Sequence, residues 1–88
     1  MIDKQDAENI ATKLGAKRRL GRKHEQILVC YDEKVVARYG IRRGSGNPRH
    51  AYVPRELHIS AQQAHDLADC PMTAERYFEI LAEKGLLQ

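Results

Sequence analysis

The sequence has few of the features on which membrane and secreted proteins depend. No apolar run approaches the roughly 20 residues that a membrane-spanning helix needs, and acidic residues occupy the amino terminus where a signal peptide has its apolar core. Cys30 and Cys70 are the only cysteines and lack C-x-x-C spacing, so we expect both to be reduced, without a disulfide framework. We therefore expect a cytoplasmic protein.

Aromatic residues are also scarce, at 6% of the chain, and 31% of the residues are charged. An apolar share of 42%, spaced at regular intervals, nevertheless argues against disorder. A chain of 88 residues can form one domain with a single core, but it is too short to enclose a large catalytic cavity. We predict a single domain over residues 1–88, in which any active site is open and shallow.

Positive charge is concentrated in the middle of the chain. Residues 17–55 hold eleven cations and three acids, a net +8, whereas residues 1–16 carry a net −1 and residues 56–88 a net −4. Such a basic segment favours a polyanion, and nucleic acid in particular, over an acidic small molecule. The candidate nucleic-acid-binding residues are Lys17, Arg18, Arg19, Arg22, Lys23, Arg38, Arg42, Arg43, Arg49 and Arg55.

Three helices are predicted from their apolar spacing and their end signals. The first begins after Asp3 as N-cap and ends at Gly15. The second follows a capping box at Ser60 and covers residues 61–70, and the third begins after Thr73. The third helix is followed by "GLL" from residue 85, a glycine and leucine pattern that predicts a Schellman ending.

Three strands are predicted between the first and second helices. Residues 24–31 and 34–43 alternate in the manner of strands, and Val35, Ala37, Tyr39 and Ile41 should share the core face of the latter.

The segments that flank these two strands have different patterns. Residues 16–23 are basic, contain a glycine and are interpreted as an exposed loop. Residues 44–48 have strong turn chemistry, and residues 49–54 are predicted to form the third strand, so that residues 39–54 make an arginine-bearing hairpin. The predicted fold is α+β, an α-β-β-β-α-α two-layer sandwich in which helices pack on one face of a three-stranded antiparallel sheet.

Two histidines accompany the basic residues. His24 begins the first predicted strand directly after "GRK", where its ring would stand among cations at the rim of the sheet. Imidazole changes charge near neutral pH, so His24 is a candidate base for the 2′-hydroxyl proton of RNA, with cations stabilising the phosphorane. His50 is a candidate second acid or base if the first and third strands are neighbours. The alternative for His24 is an ordinary surface histidine at a strand end.

Other kinds of chemical site find no support in the sequence. The four histidines and two cysteines have no metal-ligand spacing, so we predict neither a metal nor a cofactor. The glycines near residue 44 do not follow a strand and open a helix, as a phosphate-binding loop requires. No serine lies in a nucleophile elbow.

Three stretches of the chain, "LGAKRRLGRKHEQILV", "AYVPRELHIS" and "FEILAEKGLL", share a pattern with one family. The first contains a helix end and a basic, glycine-containing loop that runs into a histidine. The second contains a Val-Pro motif after a hairpin, and the third is the end of a last helix. Together they resemble the HicA-type (YcfA-like) toxins of bacterial toxin–antitoxin pairs, with His24 at the position of the catalytic histidine.

The resemblance implies a double-stranded-RNA-binding-domain-like fold, metal-independent cleavage of mRNA and a protein partner, the antitoxin. The chain departs from the family in three places. Arg22-Lys23 replaces the usual Gly-Ser before the histidine, Glu56 stands where the family has a histidine two residues after the Val-Pro proline, and the helix at 61–70 is additional. From the residues and the resemblance we predict a small basic RNA-binding protein, with endoribonuclease activity as its implied function.

Two other functions stay open at this point. The stretch "SAQQAHDLADCPMTAERYFEILAEKGLL" resembles a winged helix-turn-helix with residues 73–84 as the recognition helix, although its acidic character opposes DNA phosphates. A protein-interaction or structural domain is the other alternative, in which the basic centre pairs with a partner or with another copy of the chain.

Overall fold

The computed structural model describes residues 2–44, 46–69 and 71–87. Its elements in chain order are α1 (Lys4–Leu14), β1 (Lys17–Leu20), β2 (His24–Tyr31), β3 (Lys34–Arg42), the short α2 (Val53–Glu56), α3 (Ala61–Ala68) and α4 (Ala74–Glu83). The strands form one antiparallel sheet in the order β1-β2-β3. This arrangement confirms the predicted α+β class and the α-β-β-β-α-α layout, with α2 as a further single turn. No helix among the described residues is long and apolar enough to cross a membrane.

One apolar core joins the helices to one face of the sheet. This inner face carries Ile27 and Val29 from β2 together with Ala37, Tyr39 and Ile41 from β3, all of them buried. The helices contribute Ala7, Ile10, Ala11, Leu14, Val53, Ala64, Leu67, Ala68, Tyr77, Ile80 and Leu81. Each large apolar side chain that is buried in this way contributes about 1.5–3 kcal/mol.

Two buried tyrosines satisfy their hydroxyl groups within this core. The Tyr39 hydroxyl donates to the Ala7 carbonyl at 2.9 Å, and the Tyr77 hydroxyl donates to the Leu57 carbonyl at 3.0 Å. Burial raises the pKa of both phenols, so they stay protonated. Tyr39 thereby links β3 to α1.

The predicted identity of the third strand is wrong. Residues 17–20, predicted as a loop, form β1 and pair with β2. Residues 49–54 instead contain one isolated bridge, between Asp3 and Arg49, and then enter α2. Pro54 lies in the first turn of α2, where its fixed φ suits a helix and its missing N–H leaves no bond unmade. The sheet still has three strands, as predicted, because β1 takes the place of the strand predicted at residues 49–54.

A β-bulge changes which residues of β3 face the core near its start. Val29 pairs with Ala37, but Cys30 pairs with Val35, so Val36 has no directly opposed partner. As a result Val36 packs against the core, while Val35 is 51% exposed. The prediction that Val35 faces inward is therefore wrong, whereas Ala37, Tyr39 and Ile41 confirm the alternation beyond the bulge.

The helix ends confirm the predicted capping. The side chains of Asp3, Ser60 and Thr73 each accept a hydrogen bond from the backbone N–H three residues later, at 2.9–3.1 Å. The residue after Gly85 donates its N–H to the carbonyl five residues earlier, as a Schellman ending requires, and the φ of Gly85 is 74°. Cys30 is a free thiol. The expectations for Cys70, and for the helix end at residue 70, lie outside the described residues.

The segment that follows β3 is anchored to the start of α1. The backbone N–H of His50 donates to the Ile2 carbonyl at 2.7 Å, and the Asn47 side chain accepts from the Gln5 N–H at 2.8 Å. The segment therefore crosses beside the first helix instead of turning back along β3. The predicted arginine-bearing hairpin over residues 39–54 does not form.

Candidate nucleic-acid interface

The sheet face opposite the helices is exposed and basic. Residues that oppose each other in an antiparallel pair point to the same side, so the strand register assigns one set to this face. We call this set the outer face. On the side of the β-bulge that includes His24, it consists of Lys17, Arg19, His24, Gln26, Leu28, Arg38, Gly40 and Arg42. All four of its cations are exposed, and none forms an ion pair with a residue in the described part of the chain.

Arg18 does not belong to the outer face, although its two neighbours in β1 do. It opposes Ile27 and so points to the inner side, where its guanidinium lies 2.6 Å from Glu25 and 3.0 Å from Glu8. Two carboxylates neutralise this cation and tie β1 to α1 and β2. The prediction that Arg18 binds nucleic acid is not supported, because alternation along the strand turns it away from its neighbours.

The remaining predicted cations occupy other positions. Arg22 and Lys23 are exposed in the turn between β1 and β2, directly before His24. The Arg43 guanidinium donates to the Gly21 carbonyl at 2.9 Å and so braces this turn. Arg49 and Arg55 are exposed but lie after the sheet, so the strand register does not bring them to the outer face.

His24 lies over Gly40 at the end of the outer face where β2 begins. A Cβ atom on Gly40 would be 3.4 Å from both Cβ and Cδ2 of His24, so the imidazole edge covers this glycine. Arg42 directly opposes His24 in the register, and the Arg43 N–H donates to the Lys23 carbonyl at 3.1 Å. This bonding pattern makes His24 and Arg42 a non-hydrogen-bonded pair, the type in which opposing side chains approach most closely. The side chains of His24 and Arg42 therefore start from directly opposed positions on the same face.

An open depression of ≈ 320 Å³ lies beside His24. Its lining includes His24, Gln26, Arg38, Gly40, Tyr52 and Glu56. Sequence reasoning missed Tyr52 and Glu56 as site residues, because residues 49–54 were predicted to form a strand and only the docking of α2 (Val53–Glu56) brings Glu56 to the depression. The one available signal for Glu56 came from the predicted resemblance to HicA-type toxins, in which it falls at the position of a histidine.

Two contacts position Tyr52 at the edge of this depression. Its hydroxyl donates to the Gly40 carbonyl, and its ring centroid lies 5.5 Å from that of His50. Burial raises the pKa of the phenol, and the nearby charges of Arg42 and Glu56 act on it in opposite directions, lowering and raising it respectively. Tyr52 thus presents a fixed, neutral aromatic ring that is 38% exposed.

His50 has a structural position and is not available to a substrate. It is only 1% exposed, its Nε2 accepts from the Arg42 backbone N–H at 3.0 Å, and its Nδ1 lies 3.0 Å from the Pro48 carbonyl. These two contacts assign the proton to Nδ1 and occupy both ring nitrogens. The prediction of His50 as a second catalytic residue rested on the absent third strand, and it is withdrawn.

The acidic side chains of the carboxyl-terminal helices do not neutralise the outer face. Arg76 of α4 lies 3.1 Å from Glu79 and 3.9 Å from Glu83, so these charges pair locally. The exposed side of α4 also carries Glu75, which makes it a poor recognition helix for DNA. Within the described ranges, no group of three or more histidine, cysteine, aspartate or glutamate side chains is arranged to hold a metal ion.

Comparison with known proteins does not identify a family. The chain matches no protein-family model, and no curated protein or solved structure matches it. The resemblance to HicA-type toxins therefore stays a prediction. The function has to be inferred from the outer face and the depression beside it.

Proposed function

We propose that the chain binds RNA through the outer face of its sheet. The observation that carries the proposal is the common position of Lys17, Arg19, Arg38 and Arg42, which have no carboxylate partners among the described residues. Exposed, unpaired cations supply the phosphate contacts that dominate affinity for nucleic acids. A cytoplasmic location, where RNA is abundant, belongs to the same proposal.

The spacing of these cations suits an extended phosphate backbone. Residues two apart on a strand are separated by about 7 Å, and the outer strands of a three-stranded sheet by about 10 Å. Lys17 and Arg19 thus form one row along β1, and Arg38 and Arg42 form a second row along β3. A single RNA strand lying between the rows would pass over His24.

The position of His24 supports cleavage as the activity of this surface. Its imidazole would take the proton from a 2′-hydroxyl, whose oxygen then attacks the adjacent phosphorus. The bond from phosphorus to the 5′-oxygen breaks, which leaves a 2′,3′-cyclic phosphate on one product, and the departing oxygen takes a proton from solvent. Arg42, which directly opposes His24, would stabilise the negative charge of the phosphorane. The HicA-type resemblance supports the same role for His24 and adds an antitoxin as the protein partner.

Salt-dependent binding tests the RNA interface. Fluorescence anisotropy with a labelled single-stranded RNA, repeated over a range of salt concentrations, gives the slope of log affinity against log salt. Arg19→Ala should weaken binding and reduce that slope by about 0.7–1, the contribution of one phosphate contact. Arg18→Ala is the matched control, because it removes the same charge from the adjacent residue on the opposite side of β1.

The two variants distinguish the effect of a cation on the outer face from the effect of the protein's net charge. Equal effects of Arg18→Ala and Arg19→Ala, or an affinity that barely changes with salt, would overturn the proposal. Arg76→Ala on α4 is a second control, since loss of the Arg18 ion pairs also affects packing.

Cleavage is tested separately with labelled RNA in the presence of a chelator. His24→Ala should reduce the rate by about 10²–10⁴-fold, the usual contribution of a general base. His65→Ala on α3 should leave it unchanged, and an RNA with 2′-deoxyribose should resist cleavage. Cleavage that persists in His24→Ala removes this histidine from the mechanism. If the wild-type protein binds RNA but does not cleave it, the cleavage proposal is wrong and the RNA-binding proposal stands.

A further inference from the structure

One carboxylate lines the depression beside His24, together with a single arginine, Arg38. Glu56 is exposed, and its side chain has no hydrogen-bond or ion-pair partner in residues 2–44, 46–69 and 71–87. It lines the depression together with His24 and Arg38. A carboxylate at this point repels phosphate, so it opposes the backbone binding that the rest of the outer face favours. A part of a nucleotide that donates hydrogen bonds would suit this carboxylate better than a phosphate.

The depression has a volume and a lining that suit one nucleobase. Its volume of ≈ 320 Å³ holds roughly ten water molecules, a number close to that of the non-hydrogen atoms in a purine. Gly40 contributes no side chain to its lining, and the Tyr52 ring, held by its hydroxyl, offers an aromatic surface on which a base can stack. Gln26 supplies an amide from the β2 side.

We infer that this depression binds guanine, with Tyr52 stacking on the base and the Glu56 carboxylate accepting its N1–H and N2–H groups. Guanine is the RNA base whose Watson–Crick edge presents two adjacent donors, and a carboxylate accepts two adjacent donors in parallel. Adenine, cytosine and uracil each place an acceptor next to their donor, which a carboxylate repels. The Gln26 amide and the Arg38 guanidinium are the donors available to the guanine O6 and N7 atoms.

This inference rests on the proposed function, because it assumes that the chain binds RNA. It adds the base for which the same site is specific. His24 lines the same depression as Glu56, so a guanosine bound there has its own ribose beside the imidazole. The 2′-hydroxyl that His24 deprotonates is then that of the bound guanosine. Cleavage therefore falls on the 3′ side of guanine.

Binding of four short RNAs tests the site. The RNAs differ only in the central base, which is G, A, C or U, and carry 2′-deoxyribose at that nucleotide to prevent cleavage. The guanine RNA should bind about tenfold more tightly than the others, in line with the discrimination of a bidentate base contact. Inosine, which lacks the N2 amino group, should lose part of this preference.

The Glu56→Gln variant tests whether the carboxylate provides the preference for guanine. Because Glu56 has no partner within the described residues, the variant should fold as the wild type does and bind all four RNAs with similar affinity. Glu33→Gln, in the turn between β2 and β3, removes the same charge away from the depression and should keep the preference for guanine. A uniform effect of Glu56→Gln on cleavage of every RNA, without a change in base preference, would overturn the inference in favour of an acid–base role.

A titration with guanosine monophosphate tests the guanine site independently of the proposed RNA-binding function. In NMR titrations this nucleotide should shift the amide signals of Gly40 and Tyr52, and adenosine monophosphate should not. If the four RNAs bind equally and with strong salt dependence, the guanine site is wrong and the RNA-binding face stands. If no RNA binds, the proposed function is wrong, and a titration without shifts at Gly40 and Tyr52 rejects the site as well.

Discussion

The backbone N–H of Arg42 donates a hydrogen bond to Nε2 of His50 at 3.0 Å. This contact joins the end of β3 to the segment that leads into α2, so it holds two walls of the depression together. His50 thus supports the position of Arg42 and Tyr52 without contacting a substrate.

Loss of the His50 ring should destabilise the fold. His50→Ala removes a side chain that is 1% exposed and leaves both the Arg42 N–H and the Pro48 carbonyl without this partner. We expect the free energy of unfolding to fall by about 2–4 kcal/mol in urea titrations. His24→Ala, at an exposed position, should change it by less than about 0.5 kcal/mol. A similar stability of the two variants would contradict the structural role of His50.

The turn between β2 and β3 can be made more stable. Asp32 and Glu33 both have positive φ, 53° and 66°, as a two-residue type I′ turn requires. Replacing them with Asn-Gly, the preferred pair for this turn, should raise the free energy of unfolding by about 1 kcal/mol. Thermal unfolding measures the change. A lower midpoint temperature would show that the acidic side chains make contacts that outweigh the backbone strain.

Gly21 and Gly40 should respond differently to alanine. A Cβ atom on Gly21 would lie 2.5 Å from the His24 carbonyl oxygen, so the turn before β2 would have to move. We expect Gly21→Ala to destabilise the fold by about 1–3 kcal/mol and to weaken RNA binding.

Gly40→Ala is the comparison for Gly21→Ala. The new Cβ would be at an ordinary 3.4 Å from His24, so the fold should tolerate it. Because Gly40 lines the depression beneath His24, an added methyl group should displace the imidazole, and the preference for guanine should fall while salt-dependent binding remains. Unfolding titrations and RNA anisotropy on both variants provide the measurements, and equal destabilisation would contradict the difference in packing.

Acid should weaken the amino-terminal helix cap. The pKa of Asp3 lies below its ordinary value of 3.8, mainly because the Asp6 N–H donates a hydrogen bond to its carboxylate. Burial acts in the opposite direction, and the hydrogen bond from the Asn47 amide lowers the pKa further. Since the pKa is lower in the folded state, the resulting stability is present above the unfolded pKa and is lost as pH falls below about 4. Asn is also a good N-cap, so Asp3→Asn should match the wild type near neutrality. Thermal midpoints from neutral pH to pH 3 should then fall less steeply in the variant.

Elements with local signals could be predicted from the sequence alone. The caps at Asp3, Ser60 and Thr73 and the ending at Gly85 depend on hydrogen bonds within a few residues, so the side chains that make them are visible in the sequence. The β2–β3 hairpin was also predictable, because its apolar alternation and its turn residues are contiguous.

Strand β1 and helix α2 were not predictable in the same way. The β1 residues form an edge strand whose outer side is polar and whose inner side carries Arg18, so no apolar alternation marks it. The segment around Val53 and Pro54 has strand-like composition, but its hydrogen bonds are made with the amino terminus and within a helical turn. In both cases the pairing partner lies elsewhere in the chain, and tertiary contacts decide the outcome.

The sequence by itself determined the α+β class, the starts of α1, α3 and α4 and the concentration of positive charge in residues 17–55, because composition, periodicity and capping are local properties. Only the tertiary structure decided that Arg19 faces outward while Arg18 is neutralised by Glu8 and Glu25, since strand register sets the side to which each residue points. The meeting of His24 with Tyr52 and Glu56 at one depression is likewise a tertiary result, because residues far apart in the chain approach each other only when the segment after β3 docks beside the sheet.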